Sequence, residues 1–244
     1  PSAVSLGVAE IVVEEQGRVQ LQETTWSPQR SVVRGSLTGL GLAAGSGRER
    51  PANAQARRAP DQLMLGAEWD ISVGETLDGQ LRVFRESGDL TLEGEIRTRL
   101  GLEALEAVVN ARGDRLTLTA DARGSEFGRV QANASVRARR GADGMWSLPG
   151  DGALLGAATL DMPSITWLGR LLRENVETAG SLHSRVSLGG TLEAPLASGQ
   201  LTGEALQVAL VDQGLILSGG EFRVSFDHDR VRLERLAFVS PNRV

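Results

Sequence analysis

The chain has 244 residues, enough for one or two domains with a sizeable core, and its hydrophobic share of 41% falls a little below the ordinary globular value. Thirty glycines with no cysteine point to many turns and exclude a disulfide-stapled module. The formal charge of -5 is mixed along the sequence, so the basic footprint of a nucleic-acid binder is missing and no nucleic-acid partner is expected.

All 26 basic residues are arginine, and the absence of lysine and tyrosine reads first as a GC-rich coding bias. No apolar run approaches the roughly 20 residues that span a bilayer as a helix, and no charged segment followed by an apolar one marks a signal peptide. The chain is therefore expected to be soluble by itself. It begins without methionine and ends within a pattern at Pro241-Asn242-Arg243-Val244, which leads to the expectation of a piece of a longer protein with its anchors elsewhere.

Residues 4 to 42 hold three candidate strands. The first runs through Val4, Leu6 and Val8 to Ile11 and Val13, the second through Val19 and Leu21, and the third through Val33, Leu37, Leu40 and Leu42. Phase slips in the first and third imply bulges or bends. From Ala43 to Pro60 the alternation disappears into glycine, proline and arginine, which predicts a mobile surface loop. Contact of its four arginines with anionic lipid is the functional alternative.

Alternation returns at Leu63, Leu65, Ala67, Trp69, Ile71 and Val73, then at Leu77, Leu81 and Val83, then at Leu90, Leu92 and Ile96. Every second residue of these strands can face one shared apolar surface. The stretch Leu100 to Val109 fits a strand better than a helical turn, because Asn110-Ala111-Arg112-Gly113-Asp114 looks like a hairpin turn into Leu116, Leu118 and Ala120. Phe127 is predicted to begin another strand through Val130, Ala132, Ala134 and Val136. Residues 140–152 form a longer connection carrying Trp146, followed by a strand with Leu154, Ala158, Leu160 and Met162.

One segment has helical spacing. Ser164 as a cap precedes Ile165, Leu168, Leu171 and Leu172, which predicts about two turns of amphipathic helix over 164–175, covering an apolar face or plugging one end. The last part, Gly180 to Phe238, has the least ambiguous period of two: Leu182, Val186, Leu188 and Leu192 up to Pro195, then Leu201, then Leu206, Val208 and Leu210, then Leu215 and Leu217, then Phe222, Val224 and Phe226, then Val231 and Leu233. Breaks at Asp212-Gln213-Gly214, Gly219-Gly220 and Asp227-His228-Asp229 predict five short strands joined by tight turns.

Two stretches also carry a resemblance. Gly189-Gly190-Thr191-Leu192, with Ala194-Pro195, Gly199, Leu201 and Gly203 and then Arg230-Val231-Arg232-Leu233-Glu234, is similar to the C-terminal region of a member of the AsmA-like family of bacterial envelope proteins. The segments Ala67-Glu68-Trp69-Asp70-Ile71, Gly74-Glu75-Thr76-Leu77-Asp78-Gly79 and Arg85-Glu86-Ser87-Gly88-Asp89-Leu90 resemble what precedes it there. The likeness runs from about Leu63 onward and lies in the order of the pieces. It implies a taco-like β-groove in the periplasm that guides phospholipids towards the outer membrane, in a protein anchored in the inner membrane. It also implies a role in assembling nascent outer-membrane proteins beside the partner barrel TamA, with no cofactor.

About 15 strands are expected in all, in a mainly β fold: an elongated, curled, antiparallel or mixed sheet with one short amphipathic helix. A sheet of that size curls or splits. Alternation alone leaves a packed sandwich or barrel and an open apolar trough both available. The inward positions are mostly Leu, Val, Ala and Ile, with five phenylalanines and four tryptophans in the chain, which suits a trough for phospholipid acyl chains. Under the groove reading the lining residues are Trp69, Ile71, Leu81, Val83, Leu92, Leu118, Leu188, Leu192, Val208, Leu217, Val224 and Leu233. In a closed sandwich the same residues would be ordinary core.

Catalytic patterns stay at the level of chance, so no enzyme activity is expected. The only histidines are His183 and His228, and Asp227-His228-Asp229 reads as a turn before it reads as a metal grip. Gly39-Leu40-Gly41-Leu42 imitates a dinucleotide fingerprint without the helix that must follow it. Arg112-Gly113-Asp114 is accounted for as a hairpin turn, and Ser125 and Ser218 lack the spacing of a nucleophile elbow. Three classes remain: a lipid conduit, a scaffold that adds strands to outer-membrane proteins, and a closed adhesin-like β domain. A transmembrane barrel is disfavoured, since the chain lacks the aromatics for its girdles.

Overall fold

Strict alternation over long runs makes strands that are apolar on one side only, and such strands gain most by pairing edge to edge with their apolar sides in common. The computed structural model describes residues 4–13, 17–22, 24–27, 29–42, 62–92, 97–172 and 175–239. Its first part holds β1 (Val4–Leu6), β2 (Ala9–Val13), β3 (Gly17–Leu21), β4 (Thr24–Trp26), β5 (Ser31–Leu42), β6 (Leu63–Val73) and β7 (Leu77–Ser87). A short hairpin of β8 (Thr91–Leu92) and β9 (Thr98–Arg99) follows, then β10 (Leu102–Arg112), β11 (Arg115–Gly124) and β12 (Gly128–Arg137). A second short hairpin, β13 (Arg139–Arg140) with β14 (Trp146–Ser147), leads to β15 (Leu155–Met162) and the helix α1 (Thr166–Leu172). The chain ends its described part in β16 (Val176–Gly190), β17 (Pro195–Leu210), β18 (Leu215–Asp227) and β19 (Arg230–Val239).

Fifteen of these strands form one antiparallel sheet in the order β1-β4-β5-β6-β7-β10-β11-β12-β15-β16-β17-β18-β19, with β2 joined through β3 to β5. Nearly every strand pairs with its neighbour in sequence, so the fold is a long meander. The sheet does not close: among the described residues β19 pairs with β18 alone. The fold is thus mainly β with one short helix, and every pairing between named strands is antiparallel.

Several expectations need correction. The first predicted strand breaks at Gly7-Val8 into β1 and β2, which pair with different partners. The slip in the third is a bulge between Leu37 and Leu40, where Gly39 takes a φ of 73°. The last region has four long strands instead of five short ones, because Ala205 and Gly219-Gly220 are absorbed as irregularities inside β17 and β18 and not as turns. Phe127 lies in the β11–β12 turn, buried, and not in a strand. The helix covers seven residues, and β16 begins at Val176, so it is shorter than 164–175. The predicted loop at 43–60 and Ile96 lie outside the described residues.

The core does not fill the middle of the sheet. Leu63, Leu65, Leu100, Leu102, Phe127, Met162, Ile165, Trp167 and Leu206 form one buried cluster, with Leu40, Val83, Leu105, Leu160, Leu182 and Phe222 packed against it. These positions fall at the end of β5, the start of β6, the end of β7, the start of β10 and the end of β15, which is one and the same rim of the sheet. The β8–β9 hairpin, the Phe127 turn and α1 cover that rim. Asp89 fixes the hairpin by accepting from the backbone N–H groups of Leu90 (2.7 Å), Gly101 (3.1 Å) and Leu102 (2.7 Å).

Glycine and aromatic residues are paired across the strands. Gly35 stands opposite Trp69, Gly66 opposite Phe84, Gly203 opposite Phe222 and Gly199 opposite Phe226. In each pair the ring lies over a backbone with no side chain, which lets a large residue lie flat on the sheet. A Cβ added at Gly35 would sit 2.6 Å from the Trp69 ring. Gly35→Ala is expected to destabilise the fold by about 1–3 kcal/mol through this overlap, read as a lowered melting temperature, with no loss expected from Gly189→Ala, where a Cβ meets open space.

Candidate functional site: the apolar face of the sheet

Residues directly opposite one another in an antiparallel ladder project to the same face. Tracing the pairs from strand to strand gives one row that runs from Ile11 through Val19, Leu37, Ala67 and Val83 to Ala107. It continues through Ala120, Ala132, Ala158, Val186, Gly199 and Phe226 to Val231. Every residue in it is apolar, and with strands about 4.8 Å apart it is on the order of 60 Å long. The row beside it joins Trp69, Leu81, Val109, Leu118, Ala134, Gly156, Leu188 and Ala197. Ala107, Ala120, Ala132 and Ala158 sit side by side, so the first row makes a furrow beside the larger Val109 and Leu118.

Among the described residues the main strand contacts run between ladder neighbours, α1 lies against β16 and β9, and the β8–β9 hairpin covers the rim. Leu118 is 37% exposed and Leu233 57% exposed although both point to the apolar side, while Leu102 at the covered rim is 5% exposed. The face is therefore sealed along one rim and part exposed beyond it.

The predicted lining residues fall into three groups. Trp69, Ile71, Leu81, Leu118, Leu188, Val208, Leu217, Val224 and Leu233 share the apolar face, joined by pairs such as Trp69 with Leu81, Val208 with Leu217 and Val224 with Leu233. Val83 shares it too but packs against the sealed cluster. Leu92 and Leu192 do not stand on the sheet. Leu92 belongs to the β8–β9 hairpin that covers the rim, since the pairing of Leu92 with Thr98 turns the chain back before it reaches the main sheet. Leu192 lies in the turn between β16 and β17, held by a bond from its N–H to the Gly152 carbonyl (3.2 Å).

Sequence reasoning passed over the small members of the row, its five alanines and Gly199, because size was the criterion for choosing lining residues. It also passed over Trp167, which is buried in α1 outside the expected stripe of Ile165, Leu168 and Leu171. The Trp167 indole Nε1 is buried without a hydrogen-bond partner, an arrangement that costs about 1–3 kcal/mol.

The opposite face is polar and laced with ion pairs. Arg82 lies between Glu106 (2.5 Å) and Glu68 (3.4 Å), and these partners, Glu106 foremost, raise its pKa further. Arg34 meets Asp70 at 3.0 Å and Arg129 meets Asp121 at 2.6 Å. The pairs reach solvent, Asp121 least, and such pairs keep the face wetted more than they stabilise the fold. Two shallow depressions of about 400 and 520 Å³ lie on this side around Gln131 and Thr159. At the opposite rim, where the Trp146 indole of β14 donates to the Gly74 carbonyl (3.1 Å), the Thr76 hydroxyl and then the Gly113 N–H hold the Asp78 carboxyl below its usual range, which joins the β6–β7 turn to the β10–β11 turn.

Among the described residues no group of three His, Cys, Asp or Glu could hold a metal ion. His228 has a left-handed φ of 58° in the β18–β19 turn, with its N–H bonded to the Ala197 carbonyl at 2.8 Å. No helix among the described residues is long and apolar enough to cross a membrane. No family model matches this chain, and no curated protein or solved structure does either.

The chain has no cysteine, so single cysteines report exposure without background. A cysteine at Leu118 is expected to react with a maleimide in the folded protein nearly as fast as in urea, and one at Leu102 only on unfolding. Equal protection at the two positions would place a cover over the whole face.

Proposed function

We propose that this chain is the groove segment of a TamB-like protein of the AsmA-like family, and that it carries phospholipid acyl chains along its apolar face in the periplasm. The observation that carries the reading is the unbroken apolar row from Ile11 to Val231 on a face where Leu118 and Leu233 stay part exposed. Transfer of an acyl chain out of water is worth about 0.8 kcal/mol for each methylene buried, so aliphatic side chains hold the tail without a polar anchor. Successive positions along the row are chemically alike, so no one register is favoured and the chain can slide. The charged headgroup stays at the opposite rim, within reach of side chains such as Arg30 and Arg112. The order of the motifs from Ala67 to Leu90 and from Gly189 to Glu234 supports the family assignment, and with it the periplasmic site and the partner barrel TamA.

A second reading is favoured by one strand. Among the described residues β19 has its outer edge unpaired, and Val231, Leu236 and Val239 on it are each at least 60% exposed. An edge of this kind takes up an added strand, which fits a scaffold for nascent outer-membrane β-barrel proteins.

Photo-crosslinking separates the two. A photoreactive residue at Leu118 is expected to capture phospholipid in cells, and Leu188→Arg or Val224→Arg to abolish the capture while shifting the melting temperature by only a few degrees, since an arginine at a half-open site reaches water. Capture of unfolded barrel proteins at Val231, with no lipid at Leu118, would favour the scaffold. Unfolding of both arginine variants would place these side chains in a sealed core and end the groove reading.

A further inference from the structure

The sealed rim depends on a weak element. α1 has seven residues, well short of the roughly 12–15 at which an isolated helix becomes even marginally stable in water, so docking alone holds it in place. The docking is narrow. The buried Thr178 hydroxyl of β16 donates to the Ile165 carbonyl at 2.7 Å and accepts from the Gly169 N–H at 2.9 Å, so one side chain fastens both ends of the first turn. Gly169 lies so close that a Cβ there would be 2.5 Å from the Val176 carbonyl. Among the described residues the remaining polar ties to the sheet are one backbone bond from the Ile165 N–H to the Gly180 carbonyl (3.1 Å) and an exposed ion pair between Arg170 and Glu126 (2.8 Å).

Against these stands one unsatisfied donor. Ile165 and Gly169 mark the side of the helix against β16, and at 100° per residue Trp167 projects from the other flank, where α1 approaches β9. Trp167 is 8% exposed, in a cluster with Leu63, Leu100 and Leu102 from the far side of the rim. Its N–H, which water would satisfy in an undocked helix, has no partner there. The helix thus fills apolar space between two parts of one face with its own side chains, fastened by one hydroxyl and opposed by one stranded donor.

We propose that α1 is a displaceable plug: it occupies the rim end of the apolar face as an internal stand-in for an acyl chain, and its release lengthens the surface open to one. The proposal rests on the lipid reading of that face. Docked, Ile165, Trp167 and Leu168 cover the positions around Met162, Leu182 and Leu206. Undocked, those positions join the open rows, and the indole N–H regains water. Thr178 is the positioning residue that sets the balance.

The test uses Thr178→Val, which keeps the volume but removes both bonds, with Thr178→Ser as the variant that keeps the hydroxyl. In the whole chain, hydrogen exchange of the Leu168 and Gly169 amides is expected to quicken on the order of tenfold or more in Thr178→Val and to stay near wild type in Thr178→Ser, with β11 and β12 unchanged. Uptake of a pyrene-labelled fatty acid is expected to rise several-fold in Thr178→Val alone. Wild-type uptake with no gain in Thr178→Val, or an exchange increase spread over the whole sheet, would overturn the plug and leave the lipid reading standing. Local opening of α1 with no uptake by any of the three proteins would overturn both.

Discussion

The register of the antiparallel ladder is the constraint on which the rest depends. A slip of one residue between any two strands would move an entire strand's apolar set to the polar side. Across this sheet the pairs keep step for thirteen strands, from Ile11 to Val231, and the bulges at Leu37/Leu40 and Gly203/Leu206 return the apolar residues to the same side after each irregularity. A continuous apolar surface is a consequence of that bookkeeping of registers, and so is the mostly polar face behind it.

An open sheet with one greasy face ought to collapse on itself or aggregate. Here the hazard is contained unevenly. One rim is closed by the β8–β9 hairpin held on Asp89, by Phe127 and by α1, and this supplies the buried cluster that stabilises the fold. The other rim carries the β13–β14 hairpin, whose Trp146 indole donates to the Gly74 carbonyl (3.1 Å), and leaves aliphatics such as Leu118 part exposed. Stability and the surface proposed for lipids are thereby separated: substitutions at Leu63 or Leu102 bear on the first, substitutions at Leu118 or Leu188 on the second. The charged face, with Arg82 between Glu68 and Glu106, keeps the same sheet wetted from behind.

Much of this was legible in the sequence, for a physical reason. Alternation in Leu63 to Val83 and Leu182 to Val186 is a direct print of a two-sided environment, and turn residues such as Gly113-Asp114 and Asp227-His228-Asp229 fix where the chain reverses. What stayed hidden was whatever interrupts alternation without ending a strand. Gly219-Gly220 looks like a turn and is a bulge, because glycine serves both and only the partner strand decides. Leu92 keeps the right phase but leaves the main sheet, since β8 finds β9 before it can find β10. The alanine furrow was also hidden: Ala107, Ala120, Ala132 and Ala158 lie far apart in sequence and become one feature only through register. Trp167 was missed because a two-turn helix gives too few residues to define its buried flank.

The central claim is that the aliphatic face is available to an apolar chain and not sealed by the protein itself. Native mass spectrometry of the protein released gently from bacterial envelopes tests it most directly. Adducts with the masses of phospholipids, lost when an arginine stands at Leu188, are the predicted result; protein of bare mass under conditions that preserve lipid on a known carrier would contradict the account.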